Sequence, residues 1–135
     1  MSRPQSKSNG APRPTDAELA ILRVLWDRGP STVREVHEAL DAEKGVGYTT
    51  TLKLLQKMAA KELVARDESE RSHVYRARSK EEPTQKRLVA DLLKKAFAGN
   101  TPTLVMQALS TRKASKEELA EIRQLLDEME KGGAK

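Results

Sequence analysis

The chain contains no cysteine, and its aromatic residues amount to one Trp, two Tyr and one Phe, 3% of the whole. Without thiols there is no disulfide framework, no thiolate nucleophile, no iron–sulfur cluster and no cysteine-based zinc site. With so few rings, the core of a 135-residue chain must be aliphatic and modest, and thin cores of this kind gain stability by association. No apolar run approaches the ~20 residues that span a bilayer. The polar N-terminus has no signal-peptide core, so the expectation is a cytoplasmic protein with no membrane partner. The two histidines, His37 and His73, lack ligand-spaced partners, and neither a Gly-rich phosphate cradle nor a Ser/His/Asp set is suggested. The residues therefore predict no catalysis, no metal and no cofactor.

Charge is what the chain has in quantity: 33% of residues, with a net +5 that favours a polyanionic partner. Its distribution is uneven. Residues 1–14 hold Arg3, Lys7 and Arg13 without an acid, among Pro, Ser and Gly, and predict a disordered basic tail. Lys44 to Lys61 carries four lysines and no acid, whereas Glu117 to Glu130 is mostly acidic.

Three sites match the capping-box pattern, in which a hydroxyl and an acid three residues later close a helix start reciprocally: Thr15/Glu18, Thr32/Glu35 and Ser115/Glu118. The first opens a helix through Asp27 with Leu19, Leu22, Val24, Leu25 and Trp26 as its apolar content, stopped by Gly29-Pro30. Trp26 is expected to serve the core. The second opens a helix over Val33–Asp41 with Val33, Val36 and Leu40 inward. A third helix covers Thr49–Lys61, its buried stripe formed by Thr51, Leu54, Leu55 and Met58 at helical spacing. Residues 63–66 and 73–77 read as a β-hairpin with a charged tip between them.

Three helices and a hairpin in this order make a winged helix-turn-helix over residues 15–78, in which the third helix enters the major groove and the helix before it braces on the backbone. With the apolar stripe inward, Thr49, Thr50, Lys53, Gln56 and Lys57 lie on or near the opposite face. Threonine methyls can meet thymine, Gln56 adenine and Lys53 guanine, while lysines neutralise phosphate. The expected phosphate contacts are Lys53, Lys57, Lys61, Arg71 on the wing and Arg34. Tyr48 has two readings, a hydrogen bond to phosphate or a ring tucked beneath the helix. Residues 79–131 form three further helices, over 81–98, Thr103–Leu109 and from Lys116, whose stripes include Leu92, Phe97, Leu119, Ile122, Leu126 and Met129. They expose more apolar surface than they can hide from each other, which predicts a dimerisation domain.

The run Ala17-Glu18-Leu19 through Val24-Leu25-Trp26, then Ser31-Thr32-Val33-Arg34-Glu35-Val36, Gly47-Tyr48-Thr49-Thr50-Thr51, Lys61-Glu62-Leu63-Val64 and Val74-Tyr75, resembles the penicillinase-repressor (BlaI/MecI) family of bacterial transcriptional regulators. The resemblance covers roughly residues 15–130. It implies a homodimeric repressor on an inverted-repeat operator in double-stranded DNA, with Thr49, Thr50, Lys53 and Lys57 at the contact positions. It also implies a regulatory protease as a candidate partner, with Lys95-Ala96-Phe97-Ala98 as the matching neighbourhood. Glu62 stands where many members have glycine, which predicts a less sharply closed end of the third helix. The wing reads Ser69-Glu70-Arg71-Ser72 rather than a glycine–arginine tip. A copper-responsive branch carries a C-terminal cysteine cluster, absent here. Two other functions compete: a winged-helix protein-docking module, against which the acid-free third helix argues, and a regulator that senses a small molecule directly.

Overall fold

The computed structural model describes residues 13–69 and 71–133, so most of the expected basic tail and Glu70 of the wing lie outside the described residues. Helix α1 (Asp16–Arg28) is followed by the two-residue strand β1 (Ser31–Thr32), α2 (Val33–Lys44), α3 (Tyr48–Ala60), β2 (Val64–Asp67), β3 (Val74–Ala77), α4 (Glu81–Phe97), α5 (Thr101–Ser110) and α6 (Lys116–Gly133). The chain divides into two units between Leu88 and Val89, later than the change of pattern at Ser79. The early part of α4 belongs to the first unit because it is tied there: Thr84 is buried, and Trp26 hydrogen-bonds the segment entering the helix.

In the first unit, α1 contributes Ile21, Leu22 and Leu25 to the core, α2 contributes Val33, Val36 and Leu40, and α3 contributes Leu55 and Met58. Leu63, Val64 and Tyr75 close the core from the sheet side. Aliphatic side chains of this size stabilise by about 1.5–3 kcal/mol each when fully buried. Leu54, expected inside, is half-buried, as is Leu52 beside it. Trp26 packs at the core margin rather than in its centre.

The sheet has three antiparallel strands in the order β1-β3-β2. Ser31 faces Tyr75 and Thr32 faces Val74, while Val64 faces Ala77 and Asp67 faces Val74. This is the winged-helix arrangement, with the hairpin as wing. Sequence reading gave the hairpin but not β1, which is too short to show an alternation and whose partners are remote in the chain.

All three predicted capping boxes are present. Thr15 and Glu18 exchange bonds of 2.9 and 3.2 Å, as do Thr32 and Glu35, and Ser115 and Glu118 do so at 2.9 and 3.0 Å. Helix α5 begins earlier than expected, because Pro102 sits in its first turn, where a missing N–H costs nothing, and Asn100 caps Thr103 at 3.0 Å.

The end of α3 corrects the expectation of a loose cap. Glu62 takes φ 66° in the left-handed region. The Leu63 N–H then reaches the Met58 carbonyl at 2.9 Å, and the Glu62 N–H reaches Ala59 at 3.1 Å. This is a complete Schellman closure made without glycine.

In the second unit, α5, α6 and the end of α4 hold no fully buried residue among those whose burial is described. Leu92, Met106, Leu125, Leu126 and Met129 are all exposed, Met106 at 67% and Met129 at 60%.

Candidate nucleic-acid interface

Helix α3 turns Thr51, Leu55 and Met58 inward, and its phase leaves Thr49, Thr50, Lys53, Gln56 and Lys57 exposed. The five residues named for groove contact therefore lie on solvent-facing positions of one helix. The helix has no acidic residue in its first turn and only lysines among its charged side chains.

Its N-terminus differs from others in the chain. Helices α1, α2 and α6 are closed by reciprocal caps and α5 by Asn100, whereas Gly47 at the start of α3 makes no side-chain cap bond. The first backbone N–H groups of α3 thus keep their donors, at the positive end of the helix dipole, which suits an anion. Tyr48 occupies the first position, 46% exposed, and packs edge-to-face on His37 of α2 at 5.6 Å between centroids and 79° between planes. The ring therefore packs on α2 on one side and stays open to solvent on the other. The half-buried His37 leaves its Nδ1 without a partner among the described residues.

Arg34 is exposed in the first turn of α2, and α2 packs against α3. Arg71 is exposed in the wing turn. Before it, the Ser69 N–H donates to Asp67 Oδ1 at 2.9 Å, and that bond, with the Ser69 side chain, holds the Asp67 carboxyl below its ordinary pKa. Arg76 is exposed on β3, next to the buried Tyr75. Sequence reading passed over it, although alternation about Tyr75 marks it as outward.

Lys61, named above as a phosphate contact, is paired within the protein. Its Nζ donates to both carboxylate oxygens of Glu18, at 3.0 and 2.7 Å. The Glu18 side chain is 1% exposed and that of Lys61 31%. Burial alone would raise the Glu18 pKa, but the Lys61 hydrogen bond, the Thr15 amide and the Lys61 charge together outweigh it and hold the carboxyl below its ordinary value. Turning Lys61 toward a phosphate would strand a buried carboxylate. The periodicity that placed Lys61 in the basic stretch could not reveal a partner on another helix.

The proposed dimerisation residues spread over the second unit. Leu92, Leu119, Leu126 and Met129 are exposed, and Phe97 and Ile122 are half-buried. As for small-molecule sensing, the first unit has an open groove of 550 Å³ lined by Arg23 and Arg28 against Asp27 and Glu81, with Val24, Trp26 and Leu40. Its balanced charges select no ligand class. Among the described residues, no group of His, Cys, Asp or Glu could hold a metal ion, and no helix is long and apolar enough to cross a membrane.

Comparison with known proteins adds an independent line. The family model described as penicillinase repressor matches residues 14–128. Over 61 residues the chain is 46% identical to the transcriptional regulator BlaI of Mycobacterium tuberculosis, and that stretch covers 44% of each protein, so less than half of the relative's length is spanned. It is 23% identical over 115 residues to the penicillinase repressor of Staphylococcus aureus, covering 85% of this chain and 91% of that one. Among solved structures, a MarR family protein from Bacillus stearothermophilus aligns with a TM-score of 0.47 at 21% identity, over 90% of this chain and 76% of its own.

Proposed function

The chain belongs to the penicillinase-repressor family, and on that footing we propose that it is a cytoplasmic transcriptional repressor that binds an inverted-repeat operator as a homodimer. One observation carries the reading: α3 has an uncapped N-terminus and no acid, and its solvent-facing side presents hydroxyls, an amide and two ammonium groups. Thr49, Thr50, Lys53 and Gln56 read base edges in the major groove, with Lys57, Arg71 and Arg34 on phosphates and Tyr48 at the helix start. Lys61 leaves the contact set, because its charge is already paired.

The second unit supports dimerisation through its uncovered apolar side chains, since a twofold interface would bury Leu92, Leu126 and Met129 of both copies. Such a dimer holds two α3 helices for half-sites about one helical turn apart, or a multiple of it. Release by a regulatory protease follows from the family alone; Lys95, Ala96 and Ala98 are exposed where α4 ends.

The test is a footprint on DNA immediately upstream of the protein's own coding region, run beside a scrambled duplex. A protected inverted repeat on the first and none on the second supports the reading. Equal, unfooted retention of both would leave only nonspecific binding to polyanions.

A further inference from the structure

The Glu18–Lys61 pair joins the first turn of α1 to the C-cap of α3 across 43 residues of sequence. The apolar packing between these helices, which place Ile21, Leu22, Leu55 and Met58 in one core, is non-directional and tolerates sliding or tilting. The ammonium, bonded to both oxygens of a buried carboxylate, adds a charged tie at one fixed point between them.

Both ends of the pair are anchored. Glu18 Oε1 also accepts the Thr15 N–H at 2.9 Å. The Lys61 N–H donates to the Lys57 carbonyl at 3.0 Å, and the Schellman closure fixes the backbone after it. Helix α3 is thus pinned at its C-terminal end, while the groove-reading residues begin at the other end. Over a helix of about 20 Å, a tilt of about 5° moves the far end by roughly 2 Å, enough to break a hydrogen bond to a base edge.

We infer that Glu18 and Lys61 are positioning residues for DNA binding: the pair sets the pose of α3, and Lys61 acts on operator recognition without touching phosphate. This rests on the DNA-binding reading above.

The experiment uses the full chain with Lys61→Met, Glu18→Gln and the double variant Glu18→Leu/Lys61→Met, which replaces the ion pair with an apolar contact of similar volume. Binding is measured on the upstream DNA fragment against salt concentration, at a temperature where circular dichroism shows each protein folded. Lys61→Met should weaken binding about tenfold with the log–log salt slope unchanged, and Glu18→Gln should weaken it in the same sense. The double variant should restore most of the affinity. If Lys61→Met does not fold, Glu18→Gln carries the test, because it keeps the Lys61 charge: weaker binding with an unchanged slope supports positioning, and unchanged affinity overturns it.

A slope lowered by about 1.8 per dimer, two lost phosphate contacts, with no recovery in the double variant, would overturn the inference. So would unchanged affinity in the folded single variants, which would make the pair merely structural. If wild-type protein binds no DNA, the DNA-binding reading fails instead. The pair is then judged from backbone amide resonances of α3, which should shift as far as Thr49 in Lys61→Met and return in the double variant; shifts confined to the neighbours of Lys61 would contradict it.

Discussion

The indole Nε1–H of Trp26 donates to the carbonyl of Ser79 at 2.8 Å, tying α1 to the segment that leads from β3 into α4. That bond makes the single tryptophan a fastener as well as an apolar residue. Trp26→Phe keeps most of the packing but leaves the Ser79 carbonyl without this donor, and should destabilise the first unit by about 1–2 kcal/mol. Urea denaturation followed by circular dichroism measures it; no change in midpoint would show that the bond contributes nothing.

Glu62 supplies a prediction of opposite sign. Its left-handed φ of 66° strains an L side chain, while the Schellman bonds around it need that conformation. Glu62→Gly should therefore stabilise the protein by about 0.5–1 kcal/mol, the relieved strain exceeding the added freedom of the unfolded chain. A lower thermal midpoint in the glycine variant would contradict this.

These residues also show what could be read from sequence. The capping boxes at Thr15, Thr32 and Ser115 were legible because both partners lie within one turn. The outward set Thr49, Thr50, Lys53, Gln56 and Lys57 was legible because helical phase is a local property. The pairing of Lys61 was not, since its partner Glu18 becomes a neighbour only when α1 and α3 pack. Strand β1 was hidden for the same reason, with Ser31 and Thr32 pairing to Tyr75 and Val74. The start of α5 lies two residues before the expected Thr103, since Pro102 fits the first turn of a helix as well as it ends one.

Acid titration tests the turn between α5 and α6. Arg112 Nη2 donates to Glu118 Oε2 at 2.9 Å, and the Ser115 N–H donates to Oε1. The Arg112 bond, then the Ser115 amide and the Arg112 charge, lower the Glu118 pKa from 4.5 to about 2. A carboxyl whose folded pKa is depressed contributes stability that is present above its unfolded value and lost as pH falls through the folded one. The contact should stay intact above pH 4.5 and loosen as pH approaches about 2. Carboxyl NMR should find Glu118 titrating near that lower value, and Arg112→Ala should move it up toward the ordinary range. An ordinary titration in the unaltered protein would refute the contact.

Association can be tested through two exposed side chains of α6. Leu126→Glu with Met129→Glu places charge on the face proposed to meet a second copy. It should raise the dimer dissociation constant by roughly four orders of magnitude or more, given about 1.5–3 kcal/mol for each of the four apolar side chains the dimer would bury. Sedimentation equilibrium reads this directly. A variant that stays dimeric at the same concentration would place the interface elsewhere.

The central claim, that the outward face of α3 meets DNA, is tested most directly by the salt dependence of binding for the unaltered protein and for Lys53→Ala/Lys57→Ala. Each phosphate contact adds about 0.9 to the slope of log Kobs against log salt, and the proposed dimer would carry every substitution twice. The account predicts that the double variant weakens binding and flattens the slope by up to about 3.6, with at least half of that loss appearing in Lys57→Ala alone. An unchanged slope in the folded double variant would contradict it and remove α3 from the interface.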